Sequence, residues 1–163
     1  MTTQARDLAD RLRAFNEEVV AFVKGLSEEE WRRTCESEKW SVGVVARHVG
    51  VGHYASIELA KIIVSGQALP DFGMEQISSL NEAHARKHTD CTKEEVLSIL
   101  DKKGRKMVDY VAGLSDEELH RSNYVAEFNG DISVRKMLET INLQSAGEHL
   151  ASMRRTVAQK KVI

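Results

Sequence analysis

Three polar side chains occupy positions where helical periodicity asks for apolar ones: His48, Ser145 and His149. Ser145 and His149 are four residues apart, a spacing that puts both on one face of a helix. His48 follows Val44 and Val45 and precedes Val51. Burying an imidazole or hydroxyl without a partner costs about 1–3 kcal/mol, so all three need partners. The shared solution is that they meet, around a metal, a water or a ligand. Neutral imidazole suits Zn, Ni, Cu or Fe, and helix bundles build such sites from side chains on facing helices. Two histidines and a serine make a poor closed site, because a catalytic zinc usually takes three protein ligands plus water. The remaining position then falls to water or to a residue such as Glu148. The competing reading is plain: a histidine on an apolar face is often a core residue bonded to a carbonyl.

A second set is His84 and His88, an i, i+4 pair with Cys91 close behind. The spacing suits a metal, but Asn81, Glu82, Arg86, Lys87, Thr89 and Asp90 predict a solvated stretch. His53 and His120 stand among polar neighbours and read as surface residues. Trp31 and Trp40 bracket the entry to a helix and read as core and staple packing. Arg154, Arg155, Lys160 and Lys161 read as a solvated helix end that complements the dipole. No Gly-rich phosphate loop, HExxH or GxSxG motif occurs.

Composition limits what can position these groups. With 163 residues, 42% hydrophobic and 29% charged, the chain reads as one globular domain over residues 1–163. A net charge of −2 implies no nucleic-acid partner. One proline and ten glycines favour a mostly helical chain. Cys35 and Cys91 form no spacing motif and read as cytosolic thiols. With no signal-peptide pattern at the N-terminus and no apolar run of membrane-spanning length, a cytoplasmic protein is expected.

The dominant pattern is helical. Leu8, Leu12, Phe15, Val19, Phe22 and Leu26 form one stripe, ending near Gly25. Ser41, Val45, His48, Gly52, Ala55, Leu59 and Ile62 form a second, with Ser41 as N-cap. Leu97, Leu100, Gly104, Met107, Val111 and Leu114 form a third, opened by a capping box at Thr92–Glu95. Val134, Leu138, Ile141, Ser145, His149 and Met153 form a fourth, capped by Ser133. Four such stripes predict an all-α four-helix bundle. A long crossover between the second and third helices holds a shorter helix over Met74–His88, and a hairpin is expected over Tyr124–Ser133.

Gly25-Leu26-Ser27-Glu28-Glu29-Glu30 is echoed by Gly113-Leu114-Ser115-Asp116-Glu117-Glu118. Each copy precedes a Ser-Val helix start, at Ser41-Val42 and Ser133-Val134. The echo suggests two similar helix pairs about an approximate twofold axis.

Trp40-Ser41-Val42-Gly43-Val44-Val45-Ala46-Arg47-His48, Asn81 followed by Thr92-Lys93-Glu94-Glu95, and Gly147-Glu148-His149-Leu150 together resemble the DinB/YfiT-like superfamily over nearly the whole chain. That resemblance implies an up-down-down-up bundle. It also implies a divalent metal, commonly Zn or Ni, on His48 and on an i, i+4 pair of the last helix. His149 matches the second member of that pair. The first, usually His or Glu, falls on Ser145, a departure from the pattern. Related proteins include thiol-dependent transferases and isomerases and some hydrolases, and homodimers are frequent. A metal-dependent enzyme acting on a small-molecule or thiol substrate is therefore one expectation, with Glu148 or Tyr54 as assisting groups. The other is a metal-free bundle that binds a small molecule or a protein, with His48, Ser145 and His149 hydrogen-bonded to one another.

Overall fold

The computed structural model describes residues 2–70 and 73–159. Lys160 and Lys161 lie outside the described residues. The chain is mostly helical. Helix α1 (Thr3–Lys24) buries Leu8, Leu12, Val19 and Val23, and Thr2 caps it by accepting from the Ala5 amide. The second rod is broken: α3 (Val42–His48) runs through a π-helical turn (Val49–His53) into α4 (Ser56–Ser65). Helix α6 (Lys93–Ala112) is the third rod. The fourth is broken like the second, with α8 (Val134–Glu139), a π-helical turn (Thr140–Ser145) and α9 (Ala146–Ala158). Helix α1 packs along α6, α3 lies against α6 and α9, and α4 lies against α8.

Short elements join the rods. Helix α2 (Glu28–Arg32) follows α1, α5 (Met74–Lys87) lies between α4 and α6, and α7 (Asp116–His120) follows α6. An antiparallel hairpin, β1 (Ser122–Val125) and β2 (Gly130–Ser133), leads into α8, with Ser122 opposite Ser133. Both the helix expected over Met74–His88 and the hairpin expected over Tyr124–Ser133 occur close to where the sequence predicts them.

The sequence echo is an echo of structure. Ser27 and Ser115 each open a five-residue helix with a full capping box, to Glu30 and Glu118. The Val42 amide donates to the Arg33 carbonyl, and the Val134 amide to that of Arg121. Each half then runs from a serine N-cap into a short helix, a π-helical turn and another helix. The capping box expected at Thr92 is half made. Thr92 accepts from the Glu95 amide, but the Glu95 carboxylate turns to Arg47 instead (3.3 Å).

A partly buried polar clasp joins three rods. The Tyr54 hydroxyl donates to Asn16 Oδ1 (2.7 Å), and Asn16 Nδ2 donates to the Leu100 carbonyl (3.1 Å). The clasp fits because position 104 on α6 is glycine; an alanine Cβ there would fall on the Asn16 amide. Gly104→Ala is expected to cost about 2 kcal/mol by urea denaturation. Overpacking and broken hydrogen bonds outweigh the roughly 1 kcal/mol that alanine gains over glycine within a helix. An unchanged or higher midpoint would show that Asn16 is free to move aside.

Candidate metal centre

The π-helical turns decide which side chains meet. An α-helix returns to the same face after three or four residues, whereas a π turn returns after five. His48 ends α3, and the residue sharing its face across the turn is His53, not Gly52. The inward stripe is therefore displaced by one residue. Gly52 and Ala55 are exposed, while His53, Ser56 and Ile63 are buried. His53 belongs to the interior, which corrects its reading as a surface residue. His120, by contrast, is exposed and contacts Gln4 Oε1 at 2.9 Å.

His48, His53 and His149 form a triangle. Ring centroids lie 4.8 Å apart for His48–His53, 5.3 Å for His48–His149 and 5.0 Å for His53–His149, each pair nearly perpendicular. One ring nitrogen from each lies within 4.8 Å of the others. Trp40 closes on the His48 ring edge-on at 5.3 Å. Gly52 leaves room for that ring, since a Cβ there would come within 2.8 Å of His48 Nδ1 and Cε1.

Electrostatics keep two of these rings, His48 and His53, neutral. Burial, reinforced by the neighbouring His53, His149 and His84, pushes His48 down to about 3. Burial and His149 push His53 down to about 4, with the His48 carbonyl partly opposing. Neutral imidazole is the form that ligates a metal.

Ser145 ends the second π-helical turn, and its Oγ lies 3.1 Å from His53 Nε2. Residues that close the π turns of the two halves thus touch. His149 Nδ1 donates to Glu38 Oε2 (3.0 Å), and the Ser152 hydroxyl donates to Glu38 Oε1 (2.6 Å). Only 7% of the Glu38 side chain is exposed. A carboxylate accepts, so His149 Nδ1 carries a proton towards Glu38 and Nε2 is the atom left to face a metal, the arrangement usual behind a metal-ligating histidine. The loop before α3 delivers Glu38 by folding back on itself: the Cys35 amide donates to the Trp40 carbonyl, and Lys39 adopts a left-handed φ of 63°. Sequence reasoning missed Glu38 because it sits among exposed Glu36, Ser37 and Lys39 on no periodic face.

The donor set fits a divalent cation such as zinc: three imidazoles, one of them oriented by a buried carboxylate. His53 Nδ1 is buried without a hydrogen-bond partner. Tetrahedral zinc at 2.0–2.1 Å from each nitrogen would bring the donors to about 3.3 Å of one another, so the set must close somewhat on binding.

The other sequence candidates go elsewhere. His84 is half-buried rather than solvated, with Nε2 2.6 Å from Arg47 Nη1 and its ring 6.0 Å from that of His48. Burial and Arg47 push it down to about 4. His88 stacks against it at 5.0 Å, and Cys91 is a free, buried thiol pushed up to about 11 by burial. Tyr54 is turned into the Asn16 clasp, and Glu148 is exposed. Trp31 is core, its Nε1 donating to the Cys91 carbonyl at 2.9 Å.

The three histidines open onto a cavity of about 490 Å³. Leu59, Ile77, Leu80, Val125 and Ile141 supply much of its apolar wall, and Ser145 and Glu127 are among its polar lining. Its volume is in the range of small-molecule sites.

A mostly helical chain with paired imidazole-bearing rods defines a class, and the class has a name: the chain belongs to the DinB superfamily, whose family model matches residues 11–153. No curated protein matches it. Among solved structures, YfiT from Bacillus subtilis aligns with a TM-score of 0.75 over 96% of this chain and 87% of that one, at 14% identity. That protein is described as a probable metal-dependent hydrolase with an unusual four-helix bundle topology. At this identity the likeness shows the fold.

Proposed function

We propose that the protein is a divalent-metal-dependent enzyme of the hydrolase or thiol-transferase type, with the metal, Zn or Ni, held by His48, His53 and His149. One observation carries this reading: three mutually edge-on imidazoles whose donor atoms converge beside a small-molecule-sized cavity. When bound, such a cation lowers the pKa of a water or thiol and so supplies a nucleophile at neutral pH. The chain's own groups prepare the place. Glu38 fixes the ring of His149, and Gly52 and Trp40 fix that of His48. The Ser145 hydroxyl holds His53, which assigns to it a positioning role rather than the ligand role that the family pattern suggests. The apolar wall gives the chamber its hydrophobic lining. The up-down-down-up helix order, a cytoplasmic location and a homodimeric state accompany this proposal.

The test is calorimetric. Chelator-treated protein is titrated with Zn²⁺ or Ni²⁺ while its melting temperature is followed. A ligand of the native state at about 100 times its Kd adds about 2.7 kcal/mol. For a domain of this size that corresponds to a rise of roughly 5–10 °C. A melting temperature indifferent to both metals would leave the metal-free, small-molecule-binding reading in its place.

A further inference from the structure

Charge is unevenly distributed around the cavity. Among the described residues that line it, no lysine or arginine occurs, while two carboxylates do, Glu58 and Glu127. Glu58 is exposed and already paired, with Lys61 Nζ at 3.2 Å and Lys106 Nζ at 3.6 Å. Glu127 differs. It sits in the 3₁₀ turn (Ala126–Phe128) at the tip of the hairpin, which Asn129 closes in a left-handed conformation with φ 52°. It is half-buried and has neither hydrogen bond nor ion pair among the described residues, and desolvation alone raises its pKa. A half-buried carboxylate without a counter-charge is an energetic cost that a ligand could relieve.

The apolar wall is likewise incomplete. Met74 and Leu80 of α5 line the cavity yet are 57% and 61% exposed. Large apolar side chains left open at the mouth of a cavity favour a ligand with an apolar body.

We propose that the cavity binds a small-molecule amine, with its apolar body against α5 and its ammonium group set against the Glu127 carboxylate. This assigns a substrate class and a specificity residue to the metal-centre reading above, and rests on the cavity being the chamber of that centre. Anionic ligands are disfavoured, because among the described residues the bound metal would be their one cationic partner in the chamber.

Three probes of one shape test it: phenylbutylamine, phenylbutanol and phenylbutyrate, titrated into chelator-treated and zinc-loaded protein. In the metal-free protein the amine is expected to bind about tenfold more tightly than the alcohol, the worth of one charge-assisted hydrogen bond, and the carboxylate weakest of the three. Glu127→Gln should bring the amine to the level of the alcohol and leave alcohol binding and the zinc-induced melting shift unchanged. Glu58→Gln should preserve the selectivity. Equal binding of amine and alcohol by the unaltered chain overturns the proposal, as does selectivity that survives Glu127→Gln or tightest binding of the carboxylate. If Glu127→Gln loses alcohol binding through misfolding, Glu127→Asp decides: it must still prefer the amine. Loss of the zinc shift with selectivity intact counts against the metal reading alone. Loss of selectivity with the zinc shift intact counts against the amine alone.

Discussion

Replacing His53 by alanine is expected to abolish the zinc-dependent rise in melting temperature as completely as replacing His48 or His149, while Ser145→Ala keeps most of it. The geometry gives the reason. His48, His53 and His149 each offer a ring nitrogen to the same point, whereas Ser145 offers a hydroxyl to His53. Suppose a variant binds zinc about a thousandfold more weakly, at a concentration that is 100 times the unaltered Kd. It then gains less than about 0.1 kcal/mol, against about 2.7 kcal/mol for the intact chain. Ser145→Ala removes an orienting contact only. Glu38→Gln should fall between, weakening zinc about 10–100-fold, as outer-sphere carboxylates do. The opposite result, with His53 dispensable and Ser145 required, would restore the ligand set His48, Ser145 and His149 that the family pattern implies.

The metal-free protein is expected to lose stability steeply in mild acid. His48 and His53 are held near 3 and 4, against an ordinary value of 6.5. Above pH 6.5 the rings are neutral whether folded or unfolded, and nothing is lost. Below it the unfolded chain takes up protons that the native interior refuses. Stability then falls by about 1.4 kcal/mol per pH unit for each ring, until the pH reaches the folded value. Between pH 7 and pH 5 the combined loss should be about 2–4 kcal/mol, read from urea denaturation at each pH. The double variant His48→Leu, His53→Leu should flatten the profile over that interval. A level profile in the unaltered chain would mean that the rings protonate without unfolding the site.

Much of this architecture was legible because it repeats at intervals an unbroken helix produces. The stripes on α1 and α6 bury Leu8, Leu12, Leu100 and Met107 as periodicity requires. The serine caps at 41 and 133 accept from the Val44 and Lys136 amides. Legibility ended at the first π-helical turn, which displaces its stripe by one residue. Periodicity aligned Gly52, Ala55 and Ile62, but the molecule buries His53, Ser56 and Ile63. One signal was available: Gly50 and Gly52 lie within the turn, and a histidine lies five residues beyond an inward-facing histidine. Glu38 and Glu127 were not legible, because each is delivered by a loop whose path depends on distant partners rather than on local spacing.

That His53 and Ser145 close equivalent turns of the two halves, and touch, bears on how this centre is to be compared with others. In the proposed ligand set the third donor, His53, comes from the first half of the chain, while Ser145 of the second half touches it. An inventory that counts donors only at 48, 145 and 149 would enter this molecule as a lapsed member, although three ring nitrogens stand together at the seam.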